Sequence, residues 1–174
     1  TVAANTLGTI VHDALEELYT PFVSKVLSVA ALESIYPKIS AEITTQFIKS
    51  FKGGDFSTGK NLLIFEVAKK YVSNFIDFEI KEVKAGHEII IKALEADLGI
   101  SVEVPGLDFP VRVGGKVDRI DHYNGQMRII DYKTGKVEKP SVTLKQWNGV
   151  TEDVKNDKII QVLAYAFMYE PQAK

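Results

Sequence analysis

The spacing of apolar residues divides this chain into a helical part and a strand-rich part. Leu7, Ile10, Val11, Ala14, Leu15 and Leu18 recur at helical intervals and predict a helix from about Thr6 to Tyr19. The helical period continues from Phe22 to about Lys52, with Pro37 as a break and Ser40 as the N-cap of the next helix. Gly53-Gly54-Asp55 closes that stretch. A long helix follows from about Lys60 to Glu82, its apolar line running Leu63, Val67, Tyr71 and Phe75, and Ala85-Gly86 ends it. Ile89-Ile90-Ile91 starts a short helix or strand. From about Ala93 the period changes to two. Leu94, Ala96 and Leu98 alternate with acidic residues, Gly99 interrupts, and Ile100, Val102 and Val104 resume the alternation. The pattern is that of an antiparallel meander, turning at Pro105-Gly106-Leu107-Asp108. The chain then returns to helix from about Asp157 to Tyr169, capped by Asn156 or Asp157, with Ile159, Val162, Leu163, Ala166 and Phe167 as its apolar face.

Within the strand-rich part, Val111 to Gly135 reads as two strands joined at Asn124-Gly125. Asn-Gly between alternating runs signals a two-residue type I′ turn, because both central residues need positive φ. That turn sets the register: Tyr123 faces Gln126, Asp121 faces Arg128, Asp118 faces Asp131 and Lys116 faces Lys133. Side chains alternate between faces. Asp121 and Arg128 make an ordinary cross-strand ion pair, whereas Asp118 and Asp131 set like charges about 5 Å apart, which destabilises a hairpin. A divalent cation would convert that repulsion into ligation, since Mg²⁺ takes one or two carboxylates together with water and phosphate oxygens. Lys133, two residues after Asp131, points to the same side. Gly114-Gly115 marks a bulge or a close approach. Glu95 offers a further carboxylate, though a solvent-facing strand position is its commoner fate.

Composition narrows the setting. The 174 residues suffice for one domain with a sizeable core, and 45% hydrophobic with 25% charged residues is ordinary for a globular protein. We read 1–174 as a single domain cut from a longer protein, helical over about 6–91, with sheet, hairpin and final helix over about 92–170. No apolar run spans a membrane. Cysteine is absent, which excludes disulfides, zinc thiolates and iron–sulfur clusters held by these residues and agrees with a cytoplasmic setting. A formal net charge of −2 means that any nucleic-acid binding must be local.

Four further features each have an ordinary structural reading. Gly54 to Asn61 nearly spells a phosphate-binding loop, but Asn61 replaces the required hydroxyl and the preceding segment reads as helix, so a loop between helices is the better reading. The stretch Val137 to Lys155 is irregular. Its Lys139, Lys145 and Trp147 could meet a phosphate backbone or a base, although a surface loop with an anchored Trp is the simpler account. His12 lies at the edge of the first helix's apolar stripe, one turn after Gly8, where a core or boundary histidine is usual. Gln161 and Tyr165 project together from the last helix.

Taken in order, the pieces are Gly8-x-x-x-His12, Gly115-Lys116-Val117-Asp118, Asp131-Tyr132-Lys133-Thr134-Gly135 and Gln161-x-x-x-Tyr165. This series resembles the RecB-like branch of the PD-(D/E)xK nuclease superfamily, which includes the nuclease domains of RecB and AddB helicase–nucleases. The likeness runs from Gly8 to Tyr165. The resemblance implies an α/β fold with a central mixed, largely antiparallel sheet flanked by helices. It implies that Asp118, Asp131 and Lys133 are catalytic, and that His12, Asp118, Asp131 and the Tyr132 main-chain carbonyl hold Mg²⁺ or Mn²⁺. It implies that Gln161 and Tyr165 support substrate and site. The four cysteines that often bind a cluster in AddB-type relatives are missing here. The activity implied is metal-dependent hydrolysis of DNA, exonuclease action being the expected form, within a helicase–nuclease or another DNA repair or recombination protein. The alternative is a nuclease-like module that grips DNA or a partner without cutting.

Overall fold

A computed structural model describes residues 4–51, 55–144 and 146–169. The backbone resolves into two compact units, one formed by 1–94 and 120–128, the other by 95–119 and 129–174.

The first unit is mainly helical. α1 (Ala4–Tyr19) has the expected extent and buries Ile10, Val11, Ala14, Leu15 and Leu18. The next stretch departs from expectation. It contains a short α2 (Val29–Glu33), capped by the Ser28 hydroxyl accepting from the Ala31 amide at 3.1 Å, and α3 (Tyr36–Ser50). Pro37 sits in the first turn of α3 instead of breaking a helix, and Ser40 lies inside α3 instead of capping it. Proline costs nothing in a first turn, where its missing N–H would have had no partner. α4 (Gly59–Lys84) is the long helix, but its buried face is Phe65, Ala68, Val72, Ile76 and Ile80. Leu63 and Tyr71, on the expected apolar line, are 63% and 39% exposed. Ile39, Ile43 and Phe47 of α3 complete this core. A buried polar contact runs through it, the Tyr19 hydroxyl donating to Glu79 Oε2 at 2.5 Å.

The near-match to a phosphate-binding loop is an ordinary turn. Asp55 Oδ1 accepts from the Ser57 amide at 2.7 Å, and the Asn61 amide group donates to the Asp55 carbonyl at 2.8 Å. Gly53, Gly54 and Lys145 lie outside the described residues.

The sheet has three strands in the order β1 (Ile89–Val102), β2 (Val111–Tyr123) and β3 (Gln126–Ile130), in the largely antiparallel arrangement expected. β1 begins at Ile89, earlier than Ala93, and runs through Gly99 without a break. Asn124 and Gly125 have φ of 52° and 78°, the positive values a type I′ turn needs. Asp121 and Arg128 form the pair that this register demands, at 2.9 and 3.0 Å. The turn is also tied down from outside, since the Glu88 amide donates to Asn124 Oδ1 at 2.9 Å.

The second unit has a smaller core of Leu98, Val117, Tyr132, Ile159, Tyr165 and Met168. Its α5 (Asp157–Tyr169) buries Ile159, Tyr165 and Met168, whereas Val162 and Phe167, expected inside, are 49% and 53% exposed. Gly115 explains the rotation. A Cβ there would stand 3.2 Å from Tyr165 Cε1 and 3.5 Å from Met168 Cε, so the glycine admits these two side chains. The close approach anticipated at Gly114-Gly115 is therefore made by α5. The connection from β3 to α5 holds two 3-10 turns, Lys139–Val142 and Val154–Asn156. Trp147 is 69% exposed, not the anchored side chain expected.

Candidate active site

All but one of the expected site residues belong to the second unit. β2 presents Lys116 and Asp118 on one face, two residues apart. β3 stops at Ile130, so Asp131 lies just beyond the ladder. The Tyr132 amide donates to Asp118 Oδ2, a side chain taking the place of the next ladder carbonyl. That bond fixes Asp118 against the segment carrying Asp131, Tyr132 and Lys133.

Asp118 has a carboxylate neighbour that sequence reasoning did not favour. Carboxylate oxygens of Glu95 and Asp118 lie within 4.8 Å of each other. Glu95 has a φ of 47° in the middle of β1, and its side chain is only 15% exposed. The solvent-facing reading of this residue is thus wrong. A left-handed conformation at a non-glycine residue turns the strand locally and re-aims the side chain. Asp131 does not complete a three-carboxylate cluster with this pair at that spacing. Two unit negative charges at such a distance repel by roughly 3 kcal/mol at an effective dielectric of about 20. Lys116 offsets part of this, its Nζ standing 2.9 Å from Glu95 Oε2. Sequence reasoning placed Lys116 on the Asp118 face but gave it no role.

Asp131 begins a different line of contacts. Its Oδ2 lies 2.6 Å from Lys133 Nζ, with the Asp131 side chain 13% exposed. Lys133 Nζ also donates to Gln161 Oε1 at 3.2 Å, and Gln161 Nε2 donates to the Tyr165 hydroxyl at 2.7 Å. The two residues of the Gln161-x-x-x-Tyr165 motif thus bond to each other one helical turn apart, and the motif reaches back to the lysine. Tyr165 is seated over Gly115, so the line ends on β2. His12, the remaining expected ligand, is on α1 in the first unit and half-buried.

The comparisons with known proteins bear on this arrangement. The family model of the PD-(D/E)XK nuclease superfamily matches residues 1–174. The chain belongs to the PD-(D/E)XK nuclease superfamily. No match was found among curated proteins or solved structures. Membership supports a nuclease-like, phosphodiester-hydrolysing function with DNA as the substrate class. Nucleases of this superfamily depend on divalent metal, and the Glu95–Asp118 pair is chemically suited to one, since hard cations choose carboxylate oxygens. Among the described residues, no helix of this PD-(D/E)XK chain is long and apolar enough to cross a membrane.

Proposed function

We propose that the chain is the nuclease domain of a cytoplasmic DNA-processing enzyme and cleaves DNA with Mg²⁺ or Mn²⁺, as an exonuclease of the RecB-like branch. The observation that carries this reading is the Glu95–Asp118 carboxylate pair, with Asp118 accepting from the Tyr132 amide next to Lys133, a lysine oriented by Asp131 and Gln161. A helicase partner or domain in repair or recombination is the matching context.

Glu95 and Asp118 would hold the cation, with His12, Asp131 and the Tyr132 carbonyl as the further ligands that the resemblance implies. Bound there, the cation would neutralise phosphate charge, position the nucleophile and stabilise the leaving oxyanion. The protein's own part is positioning. A lysine ammonium has three N–H donors. Asp131 Oδ2 and Gln161 Oε1 take two, which leaves the third for the attacking water or a phosphate oxygen. Tyr165 holds Gln161, and Gly115 gives Tyr165 its seat. The resulting alignment contributes by orientation.

The test is cleavage of end-labelled single- and double-stranded DNA across a metal titration. Activity should require Mg²⁺ or Mn²⁺ and vanish in EDTA. Asp131→Ala and Lys133→Ala should abolish it without unfolding the protein. Wild-type DNA binding without cleavage under every metal would support the non-cutting module instead.

A further inference from the structure

A second lysine faces the same cleft, and the chemistry above gives it nothing to do. A cavity of about 200 Å³ opens beside Asp131, Lys133 and Gln161. Lys158 also lines it, as do Val137, Val142 and Val162. Lys158, Gln161 and Val162 lie at i, i+3 and i+4 on α5, so they share one helix face. The cleft therefore carries two ammonium groups and one carboxylate. Lys133 already neutralises Asp131 at 2.6 Å. Lys158 is the surplus positive charge, and among the described residues no carboxylate pairs with it. The rest of the lining is apolar and open, with Val137, Val142 and Val162 between 42% and 49% exposed.

We infer that this cleft seats the nucleotide adjoining the scissile bond, with Lys158 gripping that nucleotide's phosphate and the three valines lying against its sugar and base. The inference rests on the nuclease reading and adds a substrate-positioning residue to it. A cleft of this size is smaller than a typical pocket for a whole small-molecule ligand, which runs from about 300 Å³ upward, and so suits one unit of a strand that continues past it. A cation beside an apolar wall matches the two chemistries of a nucleotide, an anionic phosphate and a largely apolar sugar–base face.

Fluorescence anisotropy with a labelled single-stranded oligonucleotide in EDTA tests the cleft without cleavage. Wild-type affinity should fall with salt. Lys158→Ala should weaken binding and lower the slope of log K against log [salt] by about 0.7, the share of one phosphate contact on a single strand. Lys158→Arg should restore the slope. Lys38→Ala, at an exposed position in the first unit, should leave it unchanged. Val142→Trp, which fills the cleft, should weaken binding about tenfold, and Val142→Ala should do so less, both with melting points near wild type. If Lys158→Ala keeps the wild-type affinity and slope while the wild type still cleaves DNA, the cleft assignment fails and the nuclease reading survives. If the wild type cuts nothing yet Lys158→Ala loses its slope, the reverse holds. An absence of wild-type binding in EDTA overturns the cleft assignment outright.

Discussion

Breaking the pair between Asp121 and Arg128 should loosen the hairpin at the end where its register is set. Asp121 is fully buried, and the Arg128 side chain is 33% exposed. Arg128 donates from Nε and Nη2 to the two Asp121 oxygens at 2.9 and 3.0 Å, a bidentate fork. Its guanidinium also lies 4.1 Å over the Tyr123 ring. Removing one partner of a buried pair costs about 3–5 kcal/mol, and the partial exposure of Arg128 places this pair at the low end of that range. Arg128→Ala should therefore cost about 3 kcal/mol. For a chain of this length that is a fall in Tm on the order of 6–12 °C. Urea unfolding followed by circular dichroism, on Arg128→Ala, Asp121→Ala and the double variant, separates the pair from the other contacts of each residue. A coupling of about 2 kcal/mol is expected. A coupling below about 0.5 kcal/mol, with additive losses, would refute the facing of residues 121 and 128 and with it the face assigned to Asp118.

Two further predictions follow from single contacts. Gly115→Ala places a methyl group 3.2 Å from the Tyr165 ring. The strand gains about 0.5–1 kcal/mol from losing a glycine but pays about 1–3 for overpacking, so a net loss on the order of 1 kcal/mol is expected in urea unfolding. Because Tyr165 holds Gln161 and Gln161 holds Lys133, the cleavage rate should also fall several-fold. Tyr36 tests a surface contact of the first unit. Its hydroxyl donates to Asp77, and that bond, with lost hydration and the charges of Asp77 and Glu33, pushes its pKa up to about 12. An unfolded tyrosine titrates near 10. The folded state keeps a proton that the unfolded state releases, so this contribution is whole below about pH 10 and is lost as pH rises to about 12. Wild-type stability should fall more steeply over that window than that of Tyr36→Phe, by a small margin because solvent screens the pair. Equal slopes would contradict it.

The hairpin was legible because its signals are local. A period of two, an Asn-Gly turn and one ion pair mark the register within the hairpin's own residues. The faces of the helices were harder. On α4, steps of four residues advance 400°, so the line from Leu63 to Phe75 drifts round the helix by about 40° per step. The face actually buried mixes steps of three and four, from Phe65 through Ala68, Val72, Ile76 and Glu79. On α5 the core face packs on a glycine of another element, since Gly115 leaves the space that Tyr165 and Met168 occupy while Val162 and Phe167 stay exposed. Glu95 was undervalued for a similar reason. Its positive φ is a property of the twisted strand, and alternation alone treats it as one more outward residue. The end of β3 is set by a side chain, Asp118 accepting from the Tyr132 amide, which no periodicity shows.

On the proposed function, Glu95 and Asp118 are held together because a divalent cation belongs between them. Calorimetric titration of the protein with Mn²⁺ tests it most directly. Wild type should bind at a defined site, and Glu95→Gln and Asp118→Asn should each weaken binding by about tenfold or more, with a gain in apo-state stability as the repulsion between the two carboxylates is relieved. Unchanged Mn²⁺ affinity in both variants, with both as stable as wild type, would rule out a cation between Glu95 and Asp118.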